Sequence, residues 1–294
     1  MKLLVLGGTK NLGRHVVEAA LADGHEVTLF NRGQTNPELF PSVRRIAGDR
    51  AAPDALAAGE WDGVIDMSGF LVRDVSLSAS VLRDRCGHYT YMSSIAVYAS
   101  KTTPGMTESA LLLPWPAGAP EDRFTMDLYG PSKVRNESLL TATFGDRTAA
   151  VRSGFVVGPY NPDFGNWGWA LAHNVPMECA ARPDQPIQYI DARDLATFLL
   201  HLTTKAIPGP FNAVGPTHTM SHLANLWRTN RHVINWSPQE DRFHLPHDGT
   251  NDGTFQLDNS QARSAGLTLR PTEQTAHDYV AWIKAGNIPP DPPH

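Results

Sequence analysis

The segment that most constrains this chain is Leu3-Leu4-Val5-Leu6-Gly7-Gly8-Thr9-Lys10-Asn11-Leu12-Gly13. Its unbroken apolar run reads as a strand buried on both faces, and the periodic stretch from Arg14 to Ala22 reads as a helix. Gly7 permits a sharp exit from the strand, and Gly13 permits close packing of helix on strand. The free N–H groups of the first helical turn then form an anion site. A strand, a glycine turn and a helix in this order predict a dinucleotide, its pyrophosphate cradled by Gly7, Thr9, Lys10, Asn11, Leu12 and Gly13. Lys10 stands where a middle glycine is usual.

Short apolar runs and helical patterns alternate through the first half of the chain. Lys2–Leu6, Glu26–Phe30, Arg44–Ala47, Gly63–Met67, His88–Met92 and Thr148–Arg152 read as strands, with helices over Leu12–Leu21, Leu71–Leu82 and Tyr129–Phe144. This alternation predicts the α/β class, a Rossmann-type doubly wound parallel sheet with a smaller C-terminal substrate-binding part. The expected division is a dinucleotide-binding domain over 1–163, its sheet completed by segments near 187–215, and a substrate-binding part over 164–186 and 216–294. A chain of 294 residues with net charge −5 has core enough for a cofactor and no basic excess for general polyanion binding. Leu3–Leu6 is too short for a signal peptide or a membrane span, so a cytoplasmic location is expected. Cys86 and Cys179 form no CxxC and read as buried thiols. His218/His222 and His244/His247 have ligand-like spacing but no acidic or Cys partner at a recognisable interval, so no metal is expected. The Pro-rich end Ile288–His294 reads as an extended tail.

Three further segments carry chemistry. The second strand ends in Asn31-Arg32, where an acidic residue would accept hydrogen bonds from the ribose of NAD. A neutral side chain followed by a guanidinium, with Lys10 and Arg14 in the turn, favours the 2′-phosphate of NADP, with NAD still possible. Tyr129-Gly130-Pro131-Ser132-Lys133 sets a phenol and an ammonium one helical turn apart, with Pro131 suited to a first turn. A nearby cation favours phenolate, which a tyrosine with its ordinary pKa near 10 needs for acid–base work at neutral pH. Tyr91-Met92-Ser93-Ser94-Ile95 closes a strand with two hydroxyls at the sheet end where ligands bind.

These residues resemble the short-chain dehydrogenase/reductase superfamily in its extended, epimerase-like branch. The resemblance is strong from Met1 to Pro159 and looser through Gln188–Leu195, Phe211–Gly215 and Asp258–Leu267. It implies that Tyr129 is the acid/base, that Lys133 lowers its pKa and holds the nicotinamide ribose, and that Ser94, not Ser93, orients the substrate. It further assigns Asp49, with Arg50, to the adenine end, and Met67-Ser68-Gly69 and Met92 to the cofactor wall, with Asp66 in place of a usual His. Arg152-Ser153-Gly154-Phe155-Val156-Val157-Gly158-Pro159 resembles the segment that closes over the nicotinamide, with Ser153, Gly154 and Phe155 against the cofactor. A homodimer through Leu71–Arg85 and Tyr129–Phe144 is also implied.

Departures from that pattern narrow the chemistry. Relatives that dehydrate nucleotide sugars carry Asp-Glu after the catalytic Ser or Thr, and Ile95-Ala96 stands here. Phe155 replaces the Asn of sugar-nucleotide epimerases, and with Trp115 and Trp167 it suggests an apolar or aromatic substrate beside Ser94, Ile95 and Tyr129. The expected function is an NADPH-dependent reductase of a ketone, enone or imine in a small, largely apolar molecule. The alternatives are an epimerase or isomerase with retained NAD(P), and a non-enzymatic cofactor-sensing or RNA-associated relative.

Overall fold

A computed structural model describes residues 1–161, 167–179, 181–228, 233–237 and 249–287. The first half alternates β1 (Lys2–Leu6), α1 (Asn11–Ala22), β2 (Glu26–Asn31), β3 (Arg44–Ala47), β4 (Trp61–Asp66), α2 (Val72–Leu82), β5 (Cys86–Ser94), α3 (Met126–Phe144) and β6 (Thr148–Ser153). Shorter elements follow: β7 (Phe155–Val157), α4 (Trp167–His173), β8 (Met177–Cys179), β9 (Pro186–Asp191), α5 (Ala192–Lys205) and β10 (Gly209–Ala213). The last are β11 (Thr217–Thr219), α6 (Met220–Trp227), β12 (Ile234–Trp236), α7 (Ser260–Ser264) and α8 (Thr272–Lys284).

Alternation of side chains along β1 builds both layers at once. Leu3 and Val5 pack with Val16 and Val17 of α1 and Leu195 and Leu199 of α5, whereas Leu4 and Leu6 pack with Val75, Ala79 and Leu82 of α2 and Leu140 of α3. The main sheet is parallel and seven-stranded, in the order β10-β6-β5-β4-β1-β2-β3. The order reverses between β1 and β4, so the carboxyl ends of these two strands flank the crevice where such sheets take ligands. β10 joins the main sheet beside β6, but β9 does not; it pairs with β7 and β11 in a three-stranded sheet. A separate apolar core under that smaller sheet contains Trp167, Trp227, Tyr189 and Tyr279. Cys86 and Cys179 are both buried and free, and burial pushes each thiol up to about 12. The His244/His247 pair and the 288–294 tail lie outside the described residues.

The catalytic helix begins earlier than its sequence suggested. Thr125 precedes its first residue, Met126, so Pro131 lies inside the helix and not in its first turn. The ring removes one helical N–H and thereby leaves the Asp127 carbonyl without its usual donor.

Buried charge knits α3 to the sheet. Arg152 on β6 donates to Glu137 on α3 at 2.7 Å, to the Tyr98 hydroxyl at 3.0 Å and to the Glu108 carbonyl at 3.0 Å. Ser93 donates to the same Glu137, while Tyr98 donates to Asn212 on β10, whose backbone N–H donates to the Glu108 carboxylate at 2.7 Å. Burial alone would lower the Arg152 guanidinium, but Glu137 and Tyr98 hold it above its ordinary value. Arg152→Met would leave Glu137 charged and unpaired in the interior, a loss of about 3–5 kcal/mol that denaturant unfolding would register as a lower midpoint.

Candidate active site

The turn after β1 uses glycine at the positions that need it. Gly7 and Gly8 have φ of +110° and +95°, and a Cβ on Gly8 would meet Leu29 at 2.7 Å. A Cβ on Gly13 would stand 3.0 Å from the Gly8 Cα, so helix and turn touch backbone to backbone. Lys10 needs no such freedom, because its backbone is extended at φ −141° and ψ 144°, whereas Asn11 takes the left-handed conformation at φ +47°. No side chain caps α1 and no acidic residue occupies its first turn, which leaves that helix end free for an anion.

A cleft of about 680 Å³ opens from this turn. Its walls include Gly7 to Gly13, Asn31, Arg32, Asp49, Arg50, Met67, Ser68, Phe70 and Met92. Glycine backbone, an open helix N-terminus and a cleft of this length fit a dinucleotide. At the β2 end, Asn31 donates to the Gly7 carbonyl at 3.0 Å and accepts from the Gly33 N–H at 3.0 Å. Asn36 adds a donor to the Thr9 carbonyl at 2.7 Å. Lys10 and Arg32 are exposed, and among the described residues no ion pair engages either of them. Arg14 is otherwise engaged: it pairs with Glu18 at 2.8 Å, and its guanidinium lies 3.7 Å from the centre of the Tyr160 ring.

Below the cleft, Arg50 forms a two-pronged pair with Asp66 and also donates to Ser78 at 2.8 Å. Tyr89 donates to Asp66 at 2.7 Å and the Ser68 N–H does so at 3.0 Å. Burial alone would raise the Asp66 carboxyl, but Arg50 and these donors hold it below the usual carboxylate range. Asp66 thus fixes the loop after β4, and most of the Arg50 guanidinium serves that purpose.

Ser94 ends β5, where its hydroxyl accepts from the Ala96 N–H at 3.2 Å. Tyr129 stands on the first turn of α3, near enough to the Ser94 side chain to be influenced by it. Burial pushes the Tyr129 phenol up, and the Ser94 side chain offsets part of the rise. Lys133 is buried; it donates to the Gly69 carbonyl at 3.0 Å and the Met92 carbonyl at 2.9 Å, and lies 5.8 Å from the centre of the Tyr129 ring. Burial lowers the Lys133 ammonium to about 8, against the attraction of Asp66 and Glu137.

Ser153 pairs in register with Ser94, and Gly154 and Phe155 continue beyond it, outside the cleft walls. Phe155 is half-buried and stacks on Phe255 at 5.4 Å. Trp115 is half-buried in the loop before α3. Two residues expected against substrate are instead core: Trp167 is fully buried and its indole donates to the Glu178 carbonyl at 3.1 Å, and Ile95 packs into the same apolar cluster. Among the described residues, no group of three or more His, Cys, Asp or Glu side chains could hold a metal. His218 and His222 stack with their ring centres 4.9 Å apart, and His218 is hydrogen-bonded to Thr272 at 3.0 Å. No helix among the described residues is long and apolar enough to cross a membrane. Phe70, Phe124 and Glu137, which lie beside this cluster, went unseen in the sequence, because their contacts come from long-range pairing that leaves no local spacing.

Glycine turn and cleft belong to a doubly wound α/β fold, and Ser94, Tyr129 and Lys133 come together at the carboxyl end of its strands. No protein-family model matches the chain. It is 31% identical over 156 residues to a 2′-dehydrokanamycin reductase of Streptomyces kanamyceticus, covering 51% of this chain and 40% of the relative. It is 28% identical over 267 residues to a 41 kDa chloroplast stem-loop binding protein of Arabidopsis thaliana, covering 81% of this chain and 67% of the relative. The chain thus spans less than half the length of the reductase. A UDP-glucose-4-epimerase of Stenotrophomonas maltophila with bound NAD shares the fold, with a TM-score of 0.77, 18% identity and coverage of 97% and 98% of the two chains. The chain thus shares the doubly wound fold of that epimerase and, over about half of its length, is similar in sequence to the reductase.

The buried Lys133 should titrate apart from the other lysines. Below about pH 8 it carries the charge that supports a phenolate, and above that pH the charge is lost. NMR of lysine labelled at the side chain should show one ammonium titrating near 8 in the cofactor-free protein, absent from Lys133→Met.

Proposed function

We propose that the protein is an NADPH-dependent reductase of a ketone, enone or imine in a small, largely apolar or aromatic molecule. The observation that carries this reading is the meeting of the Ser94 side chain, the buried Tyr129 phenol and the Lys133 ammonium, 5.8 Å from the Tyr129 ring centre, at the carboxyl end of β5. NADPH, when bound, supplies the hydride. Gly7 to Gly13 and the open end of α1 would hold its pyrophosphate, Asp49 its adenine end, and Met67, Ser68 and Met92 its wall. The Ser94 hydroxyl orients the substrate heteroatom and Tyr129 delivers its proton to it. Ser94 and the nearby Lys133 charge then stabilise the phenolate left behind. The absence of a carboxylate at Asn31, with Arg32 and Lys10 exposed beside the cleft, supports NADP over NAD.

A reductase named among the relatives supports the reading. The epimerase that shares the fold supports a second reading, in which cofactor is retained without net oxidation. Likeness to a stem-loop binding protein supports an RNA-associated reading, which predicts salt-dependent RNA affinity.

Stoichiometry separates the two enzymatic readings: a reductase consumes NADPH one for one with substrate, and an epimerase consumes none. Tyr129→Phe should lose at least about a hundredfold of turnover while keeping its NADPH affinity, and an unchanged rate would refute the phenol as acid. Calorimetric titration should find NADPH tighter than NADH, with Arg32→Ala removing most of the difference. Equal affinities in the parent protein would sink the NADP assignment.

A further inference from the structure

Few large apolar side chains are exposed among the described residues, and two of them meet. Phe70 is 47% exposed and Phe124 46%. Phe70 follows β4 and Phe124 precedes α3, and their rings meet edge to face with centres 6.1 Å apart. The Phe124 ring then meets that of Tyr129 edge to face at 6.3 Å. Phe70 also carries the Lys133 ammonium 4.9 Å from its ring centre and lines the cofactor cleft.

Both loops are anchored, so the two rings are presented and not merely loose. The Gly69 carbonyl beside Phe70 accepts from Lys133 at 3.0 Å and from Tyr91 at 2.8 Å. The loop before Phe124 is tied to the start of α2, where the Arg73 N–H donates to the Glu121 carbonyl at 3.1 Å. Apolar rings held half in water beside a reactive phenol mark a surface that gains by being covered. One ring reaches the cofactor cleft and the other reaches the acid, so a molecule covering both lies between hydride and proton donors.

We infer that Phe70 and Phe124 form the specificity wall of the site and take a planar aromatic or unsaturated ring on the carbonyl-bearing substrate. The inference rests on the reductase reading for its reaction but not for its binding step. Aromatic side chains prefer offset or edge contacts with such a ring, and a saturated ring has no π system to form them. Trp167, a residue that sequence favoured for this task, is fully buried and cannot take part. Phe124 belongs to neither the cofactor cleft nor the proton path, and its removal should change selection more than catalysis.

The test uses the whole protein loaded with NADPH and two probes, 4-phenyl-2-butanone and cyclohexanone. Saturation-transfer NMR should show the aryl ketone bound to the parent protein and its signal reduced at least fivefold in Phe124→Ala, with partial recovery in Phe124→Tyr. NADPH affinity in Phe124→Ala should stay within twofold, which also reports that the variant is folded. Where the ketones turn over, the aryl-to-cyclohexyl ratio of kcat/KM should fall at least tenfold in Phe124→Ala, mainly through KM. No aryl signal in the parent protein, or an equal signal in Phe124→Ala, overturns the inference. Binding that depends on Phe124 without NADPH consumption would leave the wall standing and remove the reductase reading instead.

Discussion

A single buried ammonium organises the carboxyl ends of the central strands. Lys133 reaches from α3 to the carbonyls of Gly69 and Met92, so one side chain ties the loop after β4 and the end of β5 itself to the helix carrying Tyr129. Taking such a charge out of water is costly, and two carbonyls and distant carboxylates compensate only in part. That shortfall is why its proton is held weakly. The same arrangement is useful for chemistry, since a poorly solvated cation interacts more strongly with a charge forming on a neighbouring phenol than a hydrated one does.

Around it, the interior charges divide into two independent groups. Arg50 and Asp66 stiffen the loop that passes under the cofactor cleft, and Arg152 and Glu137 bind α3 to β5 and β6. Glu137 lies one turn beyond Lys133 on the same helix, and Ser93, its partner, precedes Ser94. The Ser94 and Tyr129 hydroxyls therefore sit on backbone pinned from both sides, which is what preorganisation requires.

The parallel sheet was legible because its evidence is local. An apolar run such as Leu3–Leu6 and the glycines after it declare a strand and turn without reference to anything distant. Tyr129 and Lys133 were legible for the same reason, being one helical turn apart. Pro131 misled because proline marks a helix start only on average, and here the packing of α3 against the sheet outweighs the lost hydrogen bond. Trp167 misled in another way: an aromatic suits a ligand wall, but its indole finds a carbonyl partner inside the core, which removes the reason for it to face a ligand. Nor could sequence show that β9 turns to a second sheet, because a run such as Ile187–Ile190 is equally suited to either.

Asn31 bears on more than its own strand. Its amide nitrogen holds the Gly7 carbonyl, and its oxygen holds the Gly33 N–H, so one side chain fastens the phosphate turn to the strand beside it. An aspartate here would offer ribose an acceptor, yet it would also set a carboxylate oxygen against the Gly7 carbonyl. A change of charge at this one position would thus act on the turn and on any ribose beside it together. The strand end and the glycine turn are in that sense a single mechanical part, and neither can be altered without the other.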